Sequence, residues 1–404
     1  MNRQVEGNIP GEGYARIEID GERITSVDCI GAERPSAAFV SPGFVDIQLN
    51  GFSGVNFSNP TLRPEELIGV LASLWKTGTT TFCPTLITNS HDGLLNNIKV
   101  LEEARRSDSD FASAVPCYHL EGPYLSPFES RGAHDPKLMR PPDWDEFLRL
   151  QEAAGGRIGI MTLAPELPGA LEFIRKAAAA NVVVAISHTD AKPEQIHQAA
   201  DAGAKLSTHW GNGCPQFLHR HNNPLWAQLA IESLTVSLIC DGFHLPPDVV
   251  KVAARVKGID KCILTTDATH VANMPPGRYS IVGTEIDLLP SGQVVTADGR
   301  CMAGSSVTMD RAVSMFVQYA EVPLNHAIQA AACNPARLIG REGICSRIAK
   351  HEPANLVLFG YDGHALEVET VLFRGRTVYS RNDGTMRKGA DDLGQTRSSI
   401  FKSS

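Results

Sequence analysis

Short apolar runs recur through the middle of the chain, and each is followed by a segment of helical periodicity or by a loop. Runs of this length, bounded by turn residues, predict buried strands. Eight βα units over ~250–300 residues favour an α/β fold, namely a (β/α)8 barrel of the TIM type. A doubly wound sheet is the alternative, but no glycine-rich dinucleotide fingerprint follows the first run. The eight runs are at residues 44–49, 79–83, 115–120, 158–163, 182–187, 205–208, 235–239 and 262–266.

The first run combines apolar and polar side chains in strict alternation. Val45, Ile47 and Leu49 alternate with Asp46, Gln48 and Asn50. A period of two predicts a strand whose polar side chains lie on one side. One interpretation is a half-exposed antiparallel strand. The other is a first barrel strand that aims Gln48 and Asn50 into an active site.

The two chain ends have a different, strand-rich texture. An Asp20-Gly21 turn joins two of these segments as a hairpin. We expect both ends to pair into one small β-sandwich domain beside the barrel, and the polar tail to be disordered. The strand-like segments are at residues 14–19, 23–27, 354–360 and 368–379. The predicted division is 1–42 with 346–382 for the β-sandwich, 43–345 for the barrel and 383–404 for the tail.

Between the eighth run and the C-terminal strands, the pattern changes twice. Residues 279–297 predict an inserted hairpin that turns at Pro290-Ser291-Gly292. Two segments of helical periodicity, at 310–320 and 324–333, then close the barrel.

Composition narrows the class of protein. The chain has 404 residues, 43% of them apolar, and a net charge of −8, with no long basic run. Nucleic acid and an anionic membrane are therefore unexpected partners. No apolar stretch approaches the ~20 residues of a membrane span, and the N-terminus lacks the apolar core of a signal peptide. The nine cysteines are scattered singly, which indicates reduced thiols in a cytoplasmic protein.

The chemistry-bearing side chains follow the predicted strands. Active sites of such barrels lie at the C-terminal ends of the strands. One carboxylate and two imidazoles form a familiar divalent-metal set that leaves room for a water molecule. Each residue alone has a structural explanation, such as a hydrogen-bonded histidine or a capping carboxylate, but four strand ends together favour a site. The residues at strand ends are Gln48, Asn50, Glu121, His188, His209 and Asp267.

Gln48 and Asn50 are poorer metal ligands than histidine. They argue against a second metal at the first strand, although they could hold a metal-bound water. The donor set does not select the metal, because zinc, Fe(II), cobalt and manganese all accept it in varying degree.

With these residues in place, the chain from about Pro42 to Phe359 resembles the amidohydrolase superfamily, and within it the N-acetylglucosamine-6-phosphate deacetylases. Each motif is weak alone, but their number and order are specific. The motifs are Pro42-Gly43-Phe44-Val45-Asp46, His119-Leu120-Glu121-Gly122-Pro123-Tyr124-Leu125, Arg131-Gly132-Ala133-His134-Asp135-Pro136, Thr162-Leu163-Ala164-Pro165-Glu166, Asp241-Gly242-Phe243-His244, Thr266-Asp267-Ala268, Ala303-Gly304-Ser305 and Asn334-Pro335-Ala336-Arg337.

The resemblance implies a site and a reaction. Glu121, His188 and His209 would bind one divalent metal per subunit, zinc before iron, cobalt or manganese. His134 would contact the acetyl carbonyl, and Asp267 would act as general base and acid. Gln48-Leu49-Asn50 stands where many members have His-x-His, as in the single-metal type. The implied substrate-binding residues are Ala133, Asn212, Gly213, Arg220, His244, Met302, Ala303 and Gly304.

The implied reaction is hydrolytic deacetylation of N-acetylglucosamine 6-phosphate or a closely related N-acetylhexosamine 6-phosphate. Arg220 has the spacing of a phosphate-binding arginine supplied across the interface of a homodimer. The alternatives are an amidohydrolase for a non-phosphorylated N-acyl substrate and a non-catalytic sugar-phosphate-binding barrel.

Two segments depart from the family pattern. Trp210 is bulky and is expected to reshape the pocket beside the metal. His219 and His221 are either solvated loop residues or additional anion-binding groups.

Overall fold

The computed structural model describes residues 2–340 and 344–381. The predicted disordered tail at 383–404 lies outside these residues. The strands, in chain order, are β1 Asn2–Ile9, β2 Gly13–Asp20, β3 Arg23–Gly31, β4 Phe39–Pro42, β5 Phe44–Leu49, β6 Gly51–Phe52, β7 Val55–Asn56, β8 Thr79–Ile87, β9 Tyr118–Glu121, β10 Ile158–Leu163, β11 Val183–Ile186, β12 Leu206–Ser207, β13 Thr235–Leu238, β14 Cys262–Leu264, β15 Gly277–Ile281, β16 Thr284–Leu288, β17 Val294–Thr296, β18 Leu356–Tyr361, β19 Leu366–Phe373 and β20 Arg376–Ser380.

Eight parallel strands form the central barrel, in the order β5-β8-β9-β10-β11-β12-β13-β14. Each predicted apolar run supplies one of them, which confirms the (β/α)8 prediction. The ends of the sheet meet just beyond β14, where Leu49 and Ala268 form a parallel bridge. The backbone N–H of Asn50 donates to the carbonyl of Ala268 at 2.8 Å, and the backbone N–H of Asp267 donates to the backbone carbonyl of Gln48 at 2.9 Å. Closure therefore brings the ends of the first and last strands together.

The first barrel strand, β5, is buried along its whole length, so the half-exposed alternative is wrong. Val45 and Ile47 lie in the apolar cluster of the barrel interior. Strict alternation would aim Gln48 away from that interior. However, β5 has one extra residue relative to β8 between Asp46 and Leu49, because these pair with Phe82 and Pro84. Such a bulge re-aims side chains.

Helices surround the barrel and cover its base. Ala336 and Ile339 of α11, followed by Ile344, join the interior cluster of the barrel, so apolar side chains fill its base, and active sites of such barrels lie at the opposite, C-terminal mouth. A π-helical turn, Gln329–Cys333, joins the last two helices. The helices are α1 Pro64–Trp75, α2 His91–Ser107, α3 Ser109–Ala114, α4 Trp144–Ala153, α5 Ala170–Ala179, α6 Pro193–Ala202, α7 Pro224–Ala230, α8 Pro247–Lys257, α9 Met309–Ala320, α10 Leu324–Ile328 and α11 Asn334–Ile339. Among residues 2–340 and 344–381, no helix is long and apolar enough to cross a membrane.

Both chain ends contribute to one seven-stranded sheet, in the order β20-β19-β18-β4-β1-β2-β3. Antiparallel pairing of β4 with β18 joins the N-terminal and C-terminal strands. The predicted hairpin at Asp20-Gly21 is present as β2 and β3, whereas residues 368–379 span two strands around a turn at Arg374-Gly375. The exact division into domains at residues 42 and 346 stays a prediction.

The inserted hairpin is in fact a three-stranded antiparallel sheet, β15-β16-β17. The predicted turn at 290–292 joins β16 to β17. A second turn at Val282-Gly283, with both residues at positive φ, was missed because valine is unusual in that conformation. This sheet packs through an apolar cluster against Ala133 and Ala303. It therefore contributes to the wall of the barrel mouth.

Candidate metal and active site

Three buried side chains converge at the mouth of the barrel. Glu121 ends β9, His188 follows β11 and His209 follows β12. The Nε2 atoms of His188 and His209 lie 3.3 and 2.8 Å from Glu121 Oε1. One ligand atom from each residue lies within 4.8 Å of the others. The structure thus brings together the three residues proposed from the sequence as metal ligands.

The residues that follow these strands have unusual backbones. His188, His209 and Asp267 have φ angles of 48°, 33° and 49°. Residues other than glycine rarely adopt a positive φ, and those that do concentrate at functional sites. The reversal at each strand end turns the side chain back over the barrel mouth instead of outward along the strand.

Gln48 and Asn50 each hold one of the acidic groups. Gln48 Nε2 donates to Glu121 Oε1 at 2.8 Å, and Asn50 Nδ2 donates to Asp267 Oδ1 at 2.6 Å. Their remaining oxygens, Gln48 Oε1 and Asn50 Oδ1, are buried without a hydrogen-bond partner among the described residues. Buried polar atoms are normally paired. These two oxygens therefore indicate a place for water or another group.

Burial and charge set the protonation of the acidic groups. Burial disfavours the charged form of Glu121, but hydrogen bonds from His188 and His209 outweigh it and hold the pKa of that carboxyl well below its usual range. Burial raises the pKa of Asp267 to about 7, and the neighbouring carboxylate of Glu121 acts in the same direction. The hydrogen bond from Asn50 opposes this rise. The two carboxyl groups of the site therefore differ in pKa, which is lowered for Glu121 and raised for Asp267.

His134 lies beside the cluster on the long loop between β9 and α4. Its ring is 4.6 Å from that of His188, centroid to centroid, and its Nδ1 lies 2.9 Å from Thr88 Oγ1. Burial lowers the pKa of His134 to about 3, and the ring of His188 adds to the effect. The side chain is therefore a neutral imidazole near pH 7, with Nε2 left for another partner.

His244 is fixed by the carboxylate of Asp241. His244 Nδ1 lies 2.6 Å from Asp241 Oδ2, while Asp241 Oδ1 accepts the backbone N–H groups of Phe243 and His244, both at 2.8 Å. Charge on His244 lowers the pKa of Asp267, so the two side chains are electrostatic neighbours. The imidazole is thus oriented with Nε2 free of this contact.

The other predicted substrate-binding residues line the same mouth, with one exception. Gly213 is held against His188, because a Cβ on Gly213 would lie 2.8 Å from the His188 nitrogen. Asn212 Nδ2 is buried and unpartnered among the described residues. Gly304, at a φ of 62°, abuts Asp267, whose carbonyl oxygen would lie 2.7 Å from an added Cβ. Arg220 instead lies exposed on the loop after His209.

Three predicted residues contact the inserted sheet. Met302 bridges Val295 of β17, Ala303 donates its amide to the Val294 carbonyl at 3.2 Å, and Ala133 lies in the same apolar cluster as Ala303. The inserted sheet thus supports the predicted pocket wall.

The two departures from the family pattern have structural roles. Trp210 is 5% exposed and packs in the apolar layer between barrel and helices. Its Nε1 donates to the Leu225 carbonyl at 3.4 Å, so the indole belongs to the core layer and not to the pocket it was expected to reshape. His219 Nδ1 accepts the amides of His221 and Asn222, at 3.3 and 2.9 Å, and so forms a turn.

Several residues at the site were given no role from the sequence, although Glu166 and Asp241 stand in motifs quoted above. Thr88 and Asp241 stand just beyond the second and seventh strands, and Glu166 beyond the fourth. Applying the strand-end rule to all eight strands would have found them. Asp190 gives no such signal, because its carboxylate accepts the hydroxyl groups of Ser126 and Ser130, about 60 residues earlier in the chain.

The donor set fits one divalent metal ion. A carboxylate and two imidazoles are common ligands of catalytic zinc and similar ions. His188 Nδ1 donates to the Ser130 carbonyl at 2.9 Å, which leaves its Nε2 lone pair for the cluster when the ring is neutral. Backbone support of this kind is usual for metal-binding histidines. Gln48 lies beside this cluster because its Nε2 donates to Glu121, and its Oε1 is a further oxygen without a partner among the described residues.

An eight-stranded parallel barrel that carries one carboxylate and two imidazoles at its strand ends is suited to metal-dependent hydrolysis. The model of the amidohydrolase family matches residues 39–378. The chain therefore belongs to the amidohydrolase family.

Relatives within the family are deacetylases of amino-sugar phosphates. An N-acetylgalactosamine-6-phosphate deacetylase from Escherichia coli O157:H7 is 30% identical, over 82% of this chain and 86% of its own length. The human N-acetylglucosamine-6-phosphate deacetylase is 31% identical, over 84% of this chain and 83% of its own. These matches confirm the resemblance inferred from the motifs.

Solved structures give the same result. A mutant N-acetyl-D-glucosamine-6-phosphate deacetylase from Mycobacterium smegmatis, in complex with N-acetyl-D-glucosamine-6-phosphate, superposes with a TM-score of 0.85 at 31% identity. The match covers 94% of this chain and all of that one. The Thermotoga maritima enzyme of the same description gives 0.81 at 26% identity, with the same coverage.

Proposed function

We propose that this protein removes the N-acetyl group from N-acetylglucosamine 6-phosphate, or from a closely related N-acetylhexosamine 6-phosphate, to give acetate and the amino-sugar phosphate. The observation that carries the proposal is the buried cluster of Glu121, His188 and His209 beside Asp267, at the mouth of an amidohydrolase barrel. The galactosamine-type relative keeps the C4 epimer as a second candidate substrate.

The metal-binding role belongs to Glu121, His188 and His209. A divalent ion at this position would lower the pKa of a bound water and polarise the amide carbonyl. Asp267 would accept the proton of the attacking water at a carboxylate oxygen and then deliver it to the leaving amine nitrogen. Asn50 holds Asp267 Oδ1, which leaves the other oxygen, Oδ2, for the proton.

His134 would stabilise the developing charge on the carbonyl oxygen. In the tautomer whose Nδ1 accepts the Thr88 hydroxyl, the imidazole proton is on Nε2 and can be donated to that oxygen. The low pKa of His134 keeps the ring neutral, so it acts as a hydrogen-bond donor and not as an acid.

The phosphate would bind to Arg220 and His244. Arg220 is exposed, and among the residues described its guanidinium forms no hydrogen bond or ion pair. Phe217 and Trp226 on either side of it are 85% and 52% exposed, and exposed aromatic side chains are typical of interfaces. These features support a homodimer in which the partner's Arg220 completes the phosphate site. Asn212, Gly213 and the residues of the inserted sheet would hold the sugar.

All nine cysteines are free, although Cys83 and Cys117 lie with their sulfur atoms 3.5 Å apart. Reduced thiols of this kind are usual in reducing compartments. We therefore assign the activity to the cytoplasm.

The direct test is acetate release from N-acetylated hexosamine 6-phosphates, with metal content measured on the same preparation. Asp267→Asn should retain the metal and lose about 10²–10⁴-fold in kcat, the usual contribution of general acid–base catalysis. Near-normal turnover of that variant would contradict the assigned role. Comparison with unphosphorylated N-acetylglucosamine separates the main proposal from an N-acyl hydrolase that ignores phosphate.

Complementation tests the origin of Arg220. Arg220→Ala should raise KM about 10- to 100-fold, the loss of a charge-assisted hydrogen bond, while Arg220→Lys loses the planar fork but keeps the charge. Assayed well below KM, an equimolar, randomly exchanged mixture of Arg220→Ala and Asp267→Asn protomers should recover about a quarter of wild-type activity if the arginine crosses a twofold interface. Recovery of none would show that Arg220 serves its own subunit.

A further inference from the structure

We propose that Asp190 is a positioning residue that fixes the His134 loop to the metal ligand His188. The inference rests on the proposed metal centre. In this proposal, the half-buried carboxylate of Asp190 sets the position of the metal ligand His188 relative to His134, the imidazole that would contact the acetyl carbonyl.

The carboxylate is joined to the loop by two hydroxyl groups. Asp190 Oδ2 accepts from Ser130 Oγ at 2.6 Å and also from Ser126 Oγ. Both serines are 1% exposed, so neither hydroxyl can exchange this partner freely for water. These serines lie on the loop between β9 and α4, which also carries His134.

The loop in turn contacts His188 at two points. The Ser130 carbonyl accepts His188 Nδ1–H at 2.9 Å, and the Ser126 amide donates to the His188 carbonyl at 3.0 Å. Asp190 thus reaches the imidazole of His188 through one residue, Ser130. His134, four residues after Ser130, lies against the same ring, at 4.6 Å between centroids.

Asp190 is itself held firmly. Its amide donates to Glu166 Oε1 at 2.7 Å, and Glu166 Oε2 accepts the hydroxyl of Thr189. Thr189 also donates its amide to the Gly213 carbonyl at 3.1 Å. Residues 188–190 therefore contact two loops of the site, the one that contains Gly213 and the one that carries His134. The carboxylate of Asp190 makes the contact with the His134 loop. Partners that orient metal-binding histidines in this way typically contribute 10–100-fold to metal affinity or activity.

The test compares two substitutions at one position. Asp190→Ala removes the acceptor of both hydroxyls. Asp190→Asn keeps an oxygen that can accept both, and its amide can take the place of Oδ1, for which the structure shows no hydrogen bond among the described residues. Zinc affinity is measured by competition between the zinc-loaded protein and a chromophoric chelator. The values of kcat and KM are measured at saturating Zn²⁺. The visible spectrum of the Co²⁺-substituted protein reports ligand geometry.

Asp108→Ala is the matched control. Asp108 Oδ1 also accepts two hydrogen bonds, from the amides of Asp110 and Phe111 at 2.9 and 2.8 Å, but these bonds cap the N-terminus of α3 and do not join the loops of the site. It reports the general effect of losing such a carboxylate on thermal stability. Ser130→Ala removes only one donor and replaces Asp190→Ala if that variant does not fold.

The expected result is a loss of at least about tenfold in zinc affinity for Asp190→Ala, with an altered Co²⁺ spectrum and lower kcat at saturating metal. Asp190→Asn should stay within about threefold of the wild type, as should Asp108→Ala. Wild-type affinity of Asp190→Ala would overturn the proposal, and so would an Asp190→Asn variant as weak as Asp190→Ala, because charge alone would then be responsible. A wild type that binds no Zn²⁺ would overturn the metal centre too, whereas a zinc-binding wild type inactive on every sugar phosphate would refute only the proposed substrate.

Discussion

Asn50 offers a quantitative test of how the first strand controls the catalytic carboxylate. Its side-chain amide donates to Asp267 Oδ1 at 2.6 Å, and both residues are buried, at 4% and 8% exposure. The bond stabilises the ionised form of Asp267 and so lowers its pKa. Asn50→Ala removes this donor and leaves the carboxylate with less compensation for burial.

The size of the effect follows from the charge on the acceptor. A buried hydrogen bond to a charged group contributes roughly 1.5–3 kcal/mol. Since about 1.4 kcal/mol corresponds to a tenfold change in an ionisation constant, the pKa of Asp267 should rise by about one to two. Asp267 must be ionised to accept the proton. The acidic limb of the pH–kcat/KM profile should therefore move to higher pH by the same amount, with less activity lost at high pH.

The assay is acetate release between pH 5 and 9 with metal content held constant. Asn97→Ala is a suitable control, because Asn97 is 1% exposed and donates to the Asn59 carbonyl at 2.8 Å, remote from the catalytic carboxylate. It should lower stability without moving the profile. An Asn50→Ala enzyme that retains its metal and shows the wild-type acidic limb would refute the argument.

Three further outcomes are expected. Thr88→Val should lower kcat about tenfold because His134 loses the partner that fixes its tautomer, whereas Thr88→Ser should retain most activity; equal kcat values for both variants would contradict this. Asp241→Ala should raise KM for the phosphorylated sugar several-fold with little change in kcat, since it frees His244, and an unchanged KM would remove that role. Treatment with a chelator should abolish turnover and lower Tm, and a 100-fold excess of Zn²⁺ over its Kd should restore about 2.7 kcal/mol of stability.

The sequence was sufficient for the barrel because buried parallel strands leave a strong apolar signal, and the strand-end rule then located Glu121, His188, His209 and Asp267. The strand-end rule also marked Gln48 as a site residue, and the structure places it against Glu121. The bulge in β5 that accompanies this contact breaks the period of two and could not be predicted from the alternation.

Contacts between distant loops also escaped. The link from Asp190 to Ser126 and Ser130 spans about 60 residues and follows no periodicity. Trp210 was expected from its size to reshape the pocket, whereas its indole packs in the apolar layer between barrel and helices. The substrate-binding roles, and the origin of Arg220, depend on a ligand and a partner subunit and so remain proposals.

The left-handed backbones of His188, His209 and Asp267 matter for the directed evolution of more stable variants. Each such residue costs about 1–3 kcal/mol, a large sum beside the 5–15 kcal/mol that stabilises a typical domain. Glycine at 188 or 209 would relieve this strain, but it would also remove a metal ligand and a buried partner of Glu121. The strain is therefore offset only while the site keeps its histidines and its metal, so a stabilised variant should be sought by screening for turnover after heating.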